Sequence, residues 1–248
     1  MITKNRLKSG LGLFCISTAF AFTIHDLSRD AYFPGGPEAM DEYFSDSLKY
    51  PVVELEAGNE EIIRVRFSVS EKGKAMNQTL TTLFGGTPAF EAEAKRLVND
   101  MPLWTPATDK HANPIVSYLH TAYIKFVLPD SLCEKFPIEK DTAVVVNAEE
   151  MPQFRGGEEN FQTYLMWFIR YPQLEREQGK DGTVYIYFEV APCGKIEKVL
   201  CKKGVPGAPG LAKEGIRVIS GMPRWIPGKV GGKAVRVGMT VPIRFRLQ

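Results

Sequence analysis

The chain has 248 residues, 44% of them apolar and 24% charged, which is enough for two compact domains of roughly 100 residues each and too apolar for a disordered protein. Lysines and arginines number 31 against 29 acidic residues, and a net charge of +2 excludes the basic field of a nucleic-acid-binding surface. The cysteines and histidines form no CxxC pair and no cluster with metal-ligand spacing, so neither a metal nor a cofactor is expected.

Taken in chain order, Lys4, Arg6 and Lys8 precede an uncharged apolar run from Leu11 to Ile24. The run is shorter than the roughly 20 residues of a spanning helix. Ala19-Phe20-Ala21 has the small-residue spacing of a signal-peptidase site, so residues 1–24 read either as a secretory signal or as a short inner-membrane anchor. Phe14 before Cys15 argues against lipoprotein cleavage. Downstream of that segment stand Cys133, Cys193 and Cys201, an odd number, with Cys193 in a predicted turn and Cys201 on the strand leaving it. Free or half-buried thiols are the expectation.

An internal repeat organises the remainder. Phe33 recurs as Phe154, 121 positions on, and the same offset carries Gly35-Gly36 onto Gly156-Gly157 and Tyr50-Pro51 onto Tyr171-Pro172. It also carries Gly73-Lys74 onto Gly194-Lys195, and Met101-Pro102-Leu103-Trp104-Thr105-Pro106 onto Met222-Pro223-Arg224-Trp225-Ile226-Pro227. Such a register marks two copies of one unit, at 31–128 and 151–248, with 129–150 as linker. Val144-Val145-Val146 in the linker reads as a short strand at the start of the second domain.

Each copy opens on a helix. Phe161, Tyr164, Leu165 and Phe168 follow the acidic Glu158-Glu159 at helical spacing, Met40, Tyr43, Phe44 and Leu48 do the same earlier, and the Tyr-Pro pair is expected to close both helices. Val184, Ile186, Phe188 and Val190 then alternate with polar positions as a half-buried strand that turns at Gly194, and Ile63, Val65, Phe67 and Val69 match them before Gly73. A second helix carries Phe90, Ala94, Leu97 and Val98, or Leu211, Gly215, Val218 and Ile219, with Gly215 expected to weaken it. A long last strand runs from Val116 to Leu128 and from Val235 to Leu247. Antiparallel strands with two helices on one face predict an α+β fold of two tandem two-layer domains.

The opening Met151-Pro152-Gln153-Phe154-Arg155-Gly156-Gly157, then Tyr171-Pro172, Gly182, the Met222–Gly228 motif and the ending Arg244-Phe245-Arg246-Leu247-Gln248 together resemble the C-terminal domain of the TonB family. The first copy departs at its start, where Asp30-Ala31-Tyr32 precedes Phe33, and keeps its Met101–Pro106 motif. The resemblance implies a periplasmic module that grips an extended peptide of an outer-membrane TonB-dependent receptor by adding it to a sheet edge, and it implies energy-dependent transport. If the N-terminus is an anchor, it also implies an ExbB–ExbD-like motor as partner. The different-class alternative is an envelope protein–protein scaffold without energy transduction.

The last strand of the second copy is the candidate edge, because Pro242 lacks a ladder donor and is tolerated at an edge. Arg236, Met239, Val241, Pro242, Arg244 and Phe245 are the candidate partner-binding residues. Phe33, Gly35, Gly36, Trp104, Phe154, Gly156, Gly157 and Trp225 read instead as turn and packing residues of the motif. Exposed edges also permit a homodimer. His25, His111 and His120 do not recur at the offset and place no base beside a nucleophile, so no enzyme is expected.

Overall fold

The computed structural model describes residues 30–135 and 144–247. The expected signal or anchor at 1–24 lies outside the described residues. Among the described residues no helix is long and apolar enough to cross a membrane. The chain divides into two compact units, one of the chain up to Val52, Ile63–Thr81 and Thr87–Pro129, the other of Val53–Ile62, Thr82–Gly86 and Asp130–Gln248.

In the first, Gly35 in the left-handed region (φ 84°) caps α1 (Gly36–Ser47), which buries Met40 and Phe44. The short α2 (Val52–Ala57) follows Tyr50-Pro51 in sequence, and from Val53 on it belongs to the second unit. Strands β1 (Glu61–Val69) and β2 (Ala75–Thr82) come next, then α3 (Pro88–Asn99), whose first turn is capped by the Thr87 hydroxyl accepting from Phe90 N–H. A two-residue hairpin, β3 (Ala107–Thr108) with β4 (Pro114–Ile115), leads into β5 (Ser117–Phe126), and the sheet order is β2-β1-β5. Phe33, Phe44, Phe67, Phe90, Leu97, Trp104 and Phe126 fill the core between helices and sheet.

The second unit repeats the plan. Its elements are α4 (Gly157–Phe168), α5 (Gln173–Glu177), β6 (Gly182–Val190), β7 (Ile196–Lys203), α6 (Pro209–Ser220), the hairpin β8 (Lys229–Val230) with β9 (Lys233–Ala234), and β10 (Val237–Phe245). The antiparallel sheet runs β10-β6-β7. Phe161, Tyr164, Leu165 and Phe168 are all buried, as are Val184, Ile186, Phe188 and Val190.

The internal bonds recur at the 121-residue offset. Trp104 N–H donates to Gly73 O over 2.9 Å and Trp225 N–H to Gly194 O over 2.8 Å. Tyr43 hydroxyl donates to Leu97 O at 2.9 Å, Tyr164 hydroxyl to Val218 O at 3.1 Å. Glu93 accepts from Lys49 N–H and Glu214 from Arg170 N–H, both at 2.6 Å. The tyrosine and glutamate bonds tie the end of each opening helix to the second helix, where the apolar pattern alone leaves their spacing loose.

Several expectations need correction. The opening helices stop at Ser47 and Phe168, short of Tyr-Pro, and each proline starts a further short helix; Pro172 is the N-cap of α5. The fixed φ of proline suits a first helical turn as well as it ends one. The last strands are shorter than 116–128 and 235–247, spanning Ser117–Phe126 and Val237–Phe245. Cys133 and Cys193 form a disulfide with Cα atoms 5.3 Å apart, and Cys201 alone of the three stays free. Gly215 is a packing glycine: a Cβ there would meet Ile186 at 3.0 Å and Val184 at 3.2 Å.

The unit boundaries also differ from 31–128 and 151–248, since Val53–Ile62 and Thr82–Gly86 belong to the second unit. Carboxylates explain it. Glu61, 1% exposed, accepts from the N–H groups of Ile62, Leu83, Phe84 and Gly86, and Phe84 packs on Phe154 with ring centroids 5.7 Å apart. Glu60 accepts from Arg224 N–H at 2.8 Å and faces its guanidinium.

Candidate partner-binding edge

The site is built on β10 and its neighbour β6. Their antiparallel register pairs Val237 with Val190, Met239 with Phe188, Val241 with Ile186, Pro242 with Tyr185 and Phe245 with Gly182. Since β6 is the middle strand, β10 is an edge. The N–H of Gly238 donates to Val145 O and Arg236 O accepts from Val145 N–H, so these two residues turn their backbone away from β6. Alternation along the strand then turns the backbones of Thr240, Pro242 and Arg244 outward too. Among the described residues no backbone group pairs with that outward stretch. Pro242 therefore sits where its missing N–H removes no bond to β6.

The predicted residues divide by face. Pro242 and Arg244 are exposed, together with Thr240. Met239 and Val241 are half-buried on the face that also carries the buried Val237 and Ile243. Two candidates need correction as direct contacts. Phe245 is 2% exposed and meets Tyr171 edge to face at 5.7 Å, so it anchors the strand in the core. Arg236 is largely buried and pairs with Glu189 at 3.2 Å and with Glu197. The register sets Glu189 against Glu197 on adjacent strands, and the arginine neutralises that like-charge pair. Lys198 Nζ, 3.1 Å from Glu189, adds a second cation. Beside them the solvent face holds Lys202 Nζ 4.3 Å from the Tyr187 ring centre and Lys203 Nζ 5.8 Å from that of Tyr185. Burial, with Glu189 beside it, pushes the Tyr187 phenol above its ordinary pKa.

The motif residues take structural places. Phe33 and Trp104 meet edge to face at 5.7 Å, as do Phe154 and Trp225 at the same distance. Gly35 and Gly156 cap helices with positive φ, and Gly36 and Gly157 share that conformation. A Cβ on Gly73 or Gly194 would lie 2.1 Å from the carbonyl oxygen of Trp104 or Trp225, so each glycine is the seat of its tryptophan segment.

Three features escaped the sequence reading. Gly238 and Thr240, on the exposed side of β10, carry no apolar signal. Arg224 stands where the offset places Leu103, and that mismatch was the available clue: Leu103 is exposed, whereas Arg224 is buried, donates to Cys133 Sγ at 2.7 Å and to Cys193 O at 3.3 Å, and faces Glu60. The third is a placed serine–histidine pair, contrary to expectation. Leu119 has a positive φ of 67° inside β5, and Ser117 Oγ lies 2.8 Å from His120 Nε2. The imidazole stacks on Phe67 and tilts against Trp104, and burial pushes its pKa below the ordinary histidine value, with Asp30 opposing.

No curated protein matches the chain. The elements from α5 to β10, residues 169–247, match the family model described as Gram-negative bacterial TonB protein C-terminal, leaving α4 and the Met151–Gly157 opening outside the matched stretch. The edge strand β10 thus lies within the stretch that matches this family model, and the match supports membership of the TonB family.

Proposed function

We propose that this protein is a TonB-family protein of the Gram-negative envelope whose family-matched domain binds an extended peptide segment of an outer-membrane receptor by strand addition to β10. The observation that carries the reading is the outward, unpaired backbone of Thr240–Arg244 in a domain of this family. Unpaired N–H and C=O groups on an edge supply affinity without regard to sequence, and side chains beside them supply selectivity. Residues 31–128 are a second copy of the same module; the bonds repeated at the 121-residue offset support this. The chain works in the periplasm as a binding protein rather than an enzyme, contributing to energy-dependent transport when engaged with a motor.

The test is a photo-crosslinking amino acid at Thr240 in the full chain, expressed in cells, with Thr240→Pro as a second variant. Thr240 N–H faces away from β6, so proline there removes a donor to the partner without breaking the sheet. Crosslinks to an outer-membrane receptor are expected, and a Thr240→Pro chain with unchanged melting temperature should lose receptor binding. No receptor crosslink, or binding untouched by the proline, overturns the reading. Receptor binding that persists while transport is indifferent to collapse of the proton gradient would leave a scaffold.

A further inference from the structure

The outward edge of β10 is open at Thr240–Arg244 and closed at its beginning. Val145 closes it: its N–H donates to Arg236 O at 2.9 Å and its carbonyl accepts from Gly238 N–H at 3.1 Å, a parallel bridge between Val145 and Val237. These are the backbone groups that an added partner strand would use at the head of the edge. The residue type at 238 belongs to the same arrangement. A Cβ on Gly238 would lie 3.0 Å from Val144 Cγ1 and 2.7 Å from the Tyr187 hydroxyl, so glycine lets the valine segment settle against the strand. Farther on, the chain leaves β10 and is held elsewhere. Glu150 exchanges two backbone bonds with Lys229, at 3.1 and 2.8 Å, and Gln153 bridges Ile226. Thus the segment has the direction and the bonds of a partner strand for one bridge only.

We propose that Val144–Val146 is an in-chain competitor for the strand-addition site, covering the head of the β10 edge until a partner strand displaces it. The proposal rests on the edge-binding reading above. A full-length partner strand must pair with Arg236 O and Gly238 N–H as well as with Thr240 and Arg244, and it gains the first two only by lifting Val145 off. A partner that pairs only from Thr240 onward leaves the segment in place and binds more weakly. The competitor is tethered by the turns at Glu150 and Gln153, so it re-forms without diffusion, and its occupancy reduces the apparent affinity for any longer strand in proportion.

The experiment uses the full chain, its Val145→Pro variant, and a labelled synthetic peptide copying Val144 to Glu150 as the added strand. Proline removes the N–H that bonds Arg236 O. Replacing Val144, Val145 and Val146 together by glycine, which weakens the extended segment and leaves β10 untouched, serves as a second opening variant should Val145→Pro melt early. Amide exchange is followed at Gly238. Wild type is expected to protect the Gly238 N–H and to bind the peptide weakly; either opening variant should lose that protection and bind about tenfold more tightly, the release of two net backbone hydrogen bonds. Unprotected Gly238 in wild type overturns the in-chain pairing and leaves the edge reading standing. Protection lost in the variants with peptide binding present but no tighter overturns the competition and leaves the edge reading standing, whereas no peptide binding to any form overturns both.

Discussion

Removing the carboxylate of Glu214 tests the polar brace that joins the opening helix to the second helix. Glu214 accepts from Arg170 N–H at 2.6 Å and from Arg217 Nε and Nη2 at 2.7 and 2.6 Å, and Nη2 also donates to Phe168 O at 2.6 Å. Breaking a fully buried pair costs about 3–5 kcal/mol. Here the glutamate side chain is 9% exposed and the arginine 35%, so water takes up part of the loss and Glu214→Ala should cost about 2–3 kcal/mol. In calorimetry that is a fall of about 10 °C in the melting temperature of the second unit. Glu93 accepts in the same way from Lys49 N–H and from Arg96 Nε and Nη2, with Arg96 Nη2 also donating to Ser47 O, and Glu93→Ala should cost the first unit as much. Burial alone would raise the Glu93 carboxyl, but the Arg96 and Lys49 hydrogen bonds outweigh it and hold it below 4.5. Its contribution is therefore present above that pH and lost as pH falls through the depressed value. A loss under about 1 kcal/mol at Glu214 would refute the brace. A full loss at Glu214 with none at Glu93 would refute the equivalence of the two braces.

Gly194→Ala should destabilise the second unit by about 2–4 kcal/mol, combining the left-handed backbone at φ 84° with loss of the Trp225 N–H bond to Gly194 O; a calorimetric shift near zero would mean that the turn relaxes freely. Reducing the Cys133–Cys193 bridge, which spans 60 residues, should lower the urea midpoint by an amount corresponding to at most about 4 kcal/mol on the chain-entropy account, and Cys133→Ser should abolish the response to reductant. His120 is held neutral by burial, so unfolded chains take up the proton first as pH falls below 6.5. Stability should decline from there downward, and His120→Phe, which preserves the ring stack, should flatten that part of the pH profile measured by urea titration.

The elements were legible where periodicity is enforced by a single core. Phe161, Tyr164, Leu165 and Phe168, and the alternation from Val184 to Val190, point inward because one face of each element has nowhere else to go. The β10 edge was legible through Pro242 alone, since a missing N–H is a property of the residue and not of its surroundings. What failed depended on neighbours distant in sequence. Arg236 reads as a partner-binding charge until Glu189 and Glu197 are set side by side on adjacent strands. Phe245 reads as part of a binding strand until Tyr171 is found against its ring. Cys133 and Cys193 have no sequence signal for pairing, because their approach is made by the linker's return to the β6–β7 turn.

Positions 121 residues apart show which parts of the plan are held by one chemistry and which are free to vary. The second helix is capped by Thr87 in one unit; in the other, Ala208 gives no side-chain cap and the distant carboxylate of Glu175 bonds Gly210 N–H at 2.6 Å. Glu61 gathers its loop through four N–H groups, where the offset places Gly182 and a Cβ would meet Val205 at 2.6 Å. The backbone geometry is kept while the side chains that impose it change. At the last strand the change alters the surface itself. Ser117 and His120 bond each other across the positive φ of Leu119, and the offset sets Gly238 and Val241 in their places, with Thr121 giving way to Pro242. A left-handed residue breaks the alternation of one strand, whereas β10 keeps an unbroken register with β6 and a regular outward edge. On this reasoning the regular outward edge of β10, rather than that of β5, is the one that the strand-addition proposal requires.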